Sequence, residues 1–339
     1  MLDQIETESA SEPILSIRNL SHHFPIGRKI RRAQLHAVDD INLDLYQGEI
    51  VALVGESGSG KSTLARLLAR VYRPTGGEIL FEGRNIATIR SRRDLLSYRS
   101  KIPLIFQDPF SSLNPVHTVG HGLLRTLKLH RPELSREERR DSAIATLESV
   151  GLIPASEVLN CYPYELSGGQ RQRIGFAQAI SCNPRLILAD EPVSMLDVSV
   201  RIGLLNLMTD LRNSGISMLY ITHDIASARY VADRLVVMYA GNIVETGPTE
   251  SVLGNPTNPY TRLLLSAVPD PMVAVKATAG DIGDPPRVID PGEGCRFRWR
   301  CPLAMETCSV VTPPLLPVSE GHEAACHVTM RSVGENIGA

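Results

Sequence analysis

The stretch Gly-Glu-Ser-Gly-Ser-Gly-Lys-Ser, Gly55 to Ser62, follows the apolar run Ile50 to Val54 and precedes the helical pattern Lys-Ser-Thr-Leu-Ala-Arg-Leu-Leu. A run of that length with no polar break reads as a strand buried on both faces. The glycines let successive backbone N–H groups curl round a phosphate, and the helix that follows adds the positive end of its dipole. Lys61 is spaced to reach the β- and γ-phosphates, and Ser62 to ligate Mg²⁺. Gly55, Ser57, Gly58, Ser59, Gly60, Lys61, Ser62 and Thr63 are therefore the expected contacts of a nucleoside triphosphate. A buried strand, a phosphate loop and a helix in that order commit the chain to an α/β fold.

Further buried-strand runs, Arg185 to Asp190 and Ile216 to Asp224, alternate with helical patterns such as Arg201 to Gly215. That alternation predicts a mixed or mostly parallel central sheet. Pro13 to Phe24 and His36 to Glu49 instead alternate apolar and polar residues, as half-buried strands do. Between about 110 and 180 the pattern is helical. There Ala143, Ile144, Leu147 and Val150 recur at three- and four-residue spacing, the mark of an amphipathic helix in an inserted helical subdomain. The sequence Val-Val-Met-Tyr-Ala-Gly-Asn-Ile-Val predicts a hairpin turning at Gly241-Asn242. The expected organisation is a flexible N-terminus over 1–13, a nucleotide-binding domain over 14–265, and a small Cys-rich unit from about 266 to 339, where Pro, Gly and Cys accumulate.

Asp190 and Glu191 follow a second buried strand run. Carboxylates at the C-terminal tip of such a strand lie beside the phosphate loop, because open α/β sheets bind ligands there. Asp190 would reach Mg²⁺ and Glu191 would polarise an attacking water. These two motifs leave kinase, GTPase and motor chemistries open.

Leu166, Ser167, Gly168, Gly169 and Gln170 narrow the choice. They open a helix whose N-terminus offers another anion-binding turn. One chain with one phosphate loop and a second phosphate-binding turn poses a question of stoichiometry. The pentapeptide resembles the signature of ATP-binding cassette (ABC) ATPases, which closes over ATP held by the opposite subunit. Other family elements follow in order. Gln107 resembles the loop glutamine that senses Mg²⁺ and water, Ser194 and Asp197 resemble the loop crossing between subunits, and His223 resembles the switch histidine at the γ-phosphate. Phe24 stands where the family stacks an aromatic ring on adenine. The resemblance spans roughly residues 14 to 265 and implies ATP and Mg²⁺ as cofactors, with catalysis by Glu191, His223 and Gln107.

Three further stretches, around Phe106 to Gly120, Asn255 to Pro269 and the closing cysteines, are similar to the oligopeptide/dipeptide importer subfamily, and the insert Pro25 to Ile41 to the second of its paired ATPases. That implies a second ABC ATPase subunit (a paralogue), two transmembrane permease subunits and a substrate-binding protein. Members of the subfamily also carry nickel, opines and sugars. The acidic, polar start lacks the pattern of a signal peptide, and no apolar run approaches the roughly 18 residues of a membrane span. A peripheral place on the cytoplasmic face of the inner membrane is expected, with membrane contact only through the permeases. The net charge of -2 gives no reason to expect nucleic acid. The basic runs Gly27 to Arg32 and Arg90 to Leu96 read as solvated faces.

Cys295, Cys301, Cys308 and Cys326 cluster near the end of the chain. Disulfides do not suit a reducing cytoplasm, and no tight Cys-x₂₋₄-Cys pair marks a zinc knuckle. Four thiolates on a loop-rich segment suit an iron–sulfur cluster, with zinc or unmetallated thiols as alternatives and His322 and His327 as further ligands. The subfamily resemblance implies a [4Fe–4S] centre. Arg296, Arg298 and Arg300 would neutralise its charge. Cys161 and Cys182 read as packing residues.

Overall fold

The computed structural model describes residues 12–27, 33–108, 113–267 and 288–329. The expected flexible segment 1–13 lies mostly outside them, as do 28–32 of the first basic run. An antiparallel sheet is formed by β1 (Leu15–Ile26), β2 (Ala33–Leu45), β4 (Gly76–Phe81) and β5 (Arg84–Asn85), in the order β2-β1-β4-β5. The larger sheet contains β3 (Ile50–Val54), β6 (Leu104–Ile105), β7 (Leu186–Asp190), β8 (Ser217–Thr222), β9 (Arg234–Tyr239), β10 (Asn242–Pro248), β11 (Leu316–Ser319) and β12 (His322–Ala324). Its order is β11-β12-β10-β9-β3-β8-β7-β6, parallel from β9 to β6 and antiparallel beyond β9.

The unbroken apolar run of β3 has a direct cause. Ile50, Ala52 and Val54 point into one core, while Val51 and Leu53 point into another. β7 and β8 divide in the same way, with Ile187 and Met218 on the first side and Leu188 and Leu219 on the second. A strand with a core on each face has no position for a polar residue. The second core joins the antiparallel sheet to α1 (Lys61–Leu68), which buries Leu64, Ala65, Leu67 and Leu68.

After α2 (Arg92–Lys101), helices α3 (Val119–His130), α4 (Arg136–Ser149), α5 (Ala155–Val158) and α6 (Gly168–Ile180) pack on one another. In α4 the expected apolar stripe is present: Ala143 and Leu147 are buried and Val150 caps the end, also buried. Its start is fixed by a reciprocal cap in which Ser135 Oγ accepts from Glu138 N and Glu138 Oε2 accepts from Ser135 N. Beyond β7 come α7 (Val198–Asn213), α8 (Ile225–Val231), α9 (Thr249–Gly254) and α10 (Pro259–Ser266).

Two expectations need correction. The hairpin between β9 and β10 turns at Ala240-Gly241, one residue earlier than expected. Both residues have positive φ, 48° and 89°, the conformation that matches strand twist in a two-residue turn. The second correction concerns the Cys-rich unit. Its described part is not set apart: β12 pairs with β10 at Glu245–Ala324, so this segment extends the central sheet. Glu245 explains the attachment. Wholly buried, its carboxylate accepts from Thr257 N at 2.7 Å, Asn258 N at 3.0 Å and His322 Nε2 at 2.8 Å.

Candidate active site

The C-terminal ends of β3, β6, β7 and β8 deliver the loops that carry the expected site residues. Phe24, Ser57, Gly58, Gly60, Lys61, Ser62, Thr63, Gln107, Glu191 and His223 line one cavity of about 930 Å³. Backbone crowding explains two of the glycines. A Cβ on Gly55 (φ 152°) would lie 2.1 Å from Met238 O, and one on Gly60 (φ 108°) 2.1 Å from Ala37 O. The loop can bend only where no side chain intervenes. Gly55 and Ser59 are buried and do not line the cavity.

Lys61 Nζ donates to Gly55 O at 2.7 Å and Glu56 O at 2.9 Å. Burial pushes its pKa down, against the charges of Glu191, Asp190 and Glu56. An ammonium held among carbonyls at the first residue of a helix fits a polyphosphate. Ser62 Oγ donates to Asp190 Oδ1 at 3.0 Å. Burial raises the Asp190 pKa; the Ser62 hydrogen bond opposes this and the Glu191 charge adds to it. A buried carboxylate beside a hydroxyl and a second carboxylate is a donor set suited to Mg²⁺.

Glu191 has φ 49°, a rare backbone state for a residue with a side chain. Its carboxylate is flanked on both sides: Gln107 Nε2 donates to Oε2 at 2.9 Å, and His223 Nδ1 lies 3.2 Å from Oε1. Ser194 Oγ donates to Glu191 O at 3.0 Å, tying the next loop to the same residue. Asp197 stands exposed at the start of α7. Phe24 is half-buried at the cavity edge, with Tyr72 edge-on at 5.5 Å.

Leu166, Ser167, Gly168, Gly169 and Gln170 line no part of this cavity. Ser167, Gly169 and Gln170 border a separate one of about 230 Å³. Ser167 Oγ caps α6 by accepting from Gln170 N at 3.2 Å. Gly169 is required by packing, since a Cβ would stand 2.3 Å from Val200 Cγ1. The expected signature turn thus shares no cavity with the chain's own phosphate loop.

Several neighbours carry no mark in the sequence. His36, Val288 and Ile289 also line the nucleotide cavity. His36 N donates to Val288 O at 2.9 Å, so a short extended piece of the C-terminal segment lies along β2. Arg300 pairs with Glu56, inside the phosphate loop.

The four clustered cysteines line a common cavity of about 690 Å³. Burial pushes the Cys295 thiol up to about 11, and the neighbouring Cys308, Cys301 and Cys326 add to that shift. No three of their sulfurs lie within 4.8 Å of one another, whereas His23, His36 and Asp39 do form such a group among the described residues. Asp39 is already ion-paired with the Arg296 guanidinium, which sets that cation against any metal at the histidines. Two expectations are revised here. His322 is committed to Glu245 and not to the cysteines. Arg296 and Arg300 turn to Asp39 and Glu56. Arg298 keeps its place beside the cysteines: it lines their cavity, donates to Cys295 O at 3.0 Å and stacks on Trp299 at 3.5 Å. Cys182 is half-buried, with its thiol pushed up to about 11 by desolvation, as suits a packing residue.

The chain covers 84% of the oligopeptide transport ATP-binding protein OppF of Bacillus subtilis and is 45% identical to it over 262 residues, 77% of its own length. The chain belongs to the ATP-binding cassette transporter ATPases. The ABC transporter family model matches residues 38–194, and the model for the oligopeptide/dipeptide transporter C-terminal region matches 244–308. A Brucella ovis protein named for peptide import is 43% identical over 316 residues, 93% of this chain and 97% of that one. Among solved structures, the cassette is similar to MJ0796 in a dimeric post-hydrolysis state with ADP and Pi bound. The TM-score is 0.62 at 29% identity, covering 69% of this chain and 98% of that one. It is also similar to cbiO1 of Clostridium perfringens, part of the transporter complex cbiONQ, with TM-score 0.63 and 26% identity over 72% of this chain and 92% of that one. The cassette is an ATPase.

Proposed function

We propose that this cassette drives a membrane importer of oligopeptides or dipeptides, and the C-terminal region match over 244–308 carries that reading. The names of the relatives from Bacillus subtilis and Brucella ovis support it. In the assembly the cassette pairs with a second ABC ATPase, a paralogue, beneath two permeases supplied by a substrate-binding protein. It sits at the cytoplasmic face of the inner membrane through the permeases. Among the described residues no helix is long and apolar enough to cross a membrane.

Bound ATP supplies the phosphoryl group, with Mg²⁺ neutralising charge on its oxygens. Lys61 and the loop N–H groups would grip the phosphates, while Ser62 and Asp190, with Gln107, would hold the metal. Phe24 stacks on the base. Glu191 takes the proton of the attacking water, and its flanking hydrogen bond from Gln107 and contact with His223 fix where its oxygens point. The turn at Leu166 to Gln170 serves the ATP of the opposite subunit, and Ser194 and Asp197 lie on the loop that crosses between them. A signature turn that shares no cavity with its own phosphate loop supports this division of labour. Cys295, Cys301, Cys308 and Cys326, which line one cavity, would hold a [4Fe–4S] cluster through their thiolates, where it would brace the C-terminal segment.

Uptake of a labelled tripeptide by cells in which Glu191→Gln replaces the native subunit tests the substrate. The reading requires peptide uptake to collapse while free amino acid uptake persists; unchanged peptide uptake would contradict it.

A further inference from the structure

We infer that Arg300 is a positioning residue for the phosphate loop, so that the segment between Cys295 and Cys301 sets the cassette's affinity for nucleotide. The inference rests on the assignment of Gly55 to Thr63 to phosphate binding. Its starting point is a bidentate ion pair: Arg300 Nη1 donates to Glu56 Oε2 at 2.7 Å and Nη2 to Oε1 at 2.9 Å. The two residues are 244 positions apart in sequence. Such fork-to-fork geometry fixes orientation as well as distance. The Arg300 side chain is only 11% exposed, so solvent screens the pair weakly. The Glu56 hydrogen bond raises the guanidinium's pKa above its ordinary value.

Glu56 is held through its main chain too. Its N–H donates to Tyr260 Oη at 2.9 Å, and its carbonyl accepts from Lys61 Nζ at 2.9 Å and Ser59 N at 3.2 Å. A shift of Glu56 therefore moves the carbonyl that anchors the phosphate-binding ammonium. Arg300 itself is wedged against aromatic rings, with its guanidinium carbon 5.7 Å from the Tyr239 ring centre and 5.9 Å from that of Phe297. Tyr239, Tyr260 and Phe297 contact one another, so the group that holds Glu56 is a packed unit shared by cassette and cysteine segment. A second tether runs in parallel. Arg296 donates to Ala240 O and pairs with Asp39, and the next residue, Gly241, donates its N–H to Ser59 O at 2.9 Å. Both arginines thus lead from the cysteine segment into the loop, and Arg298, between them, does not.

The test is equilibrium binding of ATP and of ADP to the purified full-length chain, with ATP turnover measured alongside. Arg300→Gln should weaken nucleotide binding about tenfold, in the usual range for coupling between sites, and raise KM with kcat held within about twofold. Glu56→Gln should do the same without touching the cysteine segment, so the test survives if Arg300→Gln fails to fold. Arg300→Lys should recover part of the affinity, and Arg298→Gln should leave it unchanged. Native affinity in both Arg300→Gln and Glu56→Gln would overturn the inference, as would a loss confined to kcat or an equal loss in Arg298→Gln. Lys61→Ala separates the two levels: if it too leaves affinity unchanged, the phosphate-loop assignment has failed, and not the Arg300 coupling alone.

Discussion

Ser62 Oγ stands 3.0 Å from Asp190 Oδ1, joining the first residues of α1 to the tip of β7 across 128 positions of sequence. Asp190→Asn keeps a partner for the hydroxyl and removes the charge. Mg²⁺-dependent ATP turnover should fall by roughly 100-fold, the scale of one lost electrostatic contact, while metal-free ATP binding holds or tightens. Turnover assays across a Mg²⁺ titration check this, and added Mg²⁺ should restore only part of the rate.

Much of this site is legible in the amino-acid sequence. Val54 to Ser62 declares itself because backbone amides, a helix dipole and a lysine must occur in that order. The buried runs of β3, β7 and β8 declare themselves because both of their faces lie in core. Arg300–Glu56 and Val288–His36 cannot be read there, since no local pattern marks a contact between segments more than 240 residues apart. The cysteine segment is deceptive in another way. Its loss of periodicity suggests a separate unit, yet β12 needs only three residues to join the central sheet and rests on Glu245. The turn falls at Ala240-Gly241 although Gly-Asn is a good turn sequence, and only the register of β9 with β10 decides between the two.

Glu245 and His322 are the buried join between cassette and C-terminal segment. Glu245→Ala strands His322 and two backbone N–H groups. It should destabilise the protein by about 3–5 kcal/mol, a fall in Tm of roughly 10 °C. Circular dichroism melts of the full chain measure this, and Glu245→Gln should lose less.

Asp39 supplies an acid-sensitive contact. Burial alone would raise its pKa, but the His36 hydrogen bond, the Arg296 charge and the His23 hydrogen bond together hold it below its ordinary 3.8. A carboxylate with a depressed folded-state pKa gives stability that is present above 3.8 and is lost as pH falls through the lower folded value. Asp39→Asn should therefore lose stability near neutrality and show a flatter decline below about pH 4. Denaturant titrations across roughly pH 3 to 7 test the slope.

The cysteines predict their own content. Anaerobically purified protein should carry iron and sulfide, about four of each per chain, with little zinc. Cys301→Ser should lose both, as read by metal analysis and the visible absorption of the cluster.

The central claim is that Glu191 activates water at an ATP site completed by the partner's signature turn. Measuring ATP hydrolysis and association state together in Glu191→Gln tests it most directly. The account requires ATP to bind, hydrolysis to fall at least about 100-fold, and a nucleotide-dependent closed dimer to accumulate. Turnover at the native rate would contradict it.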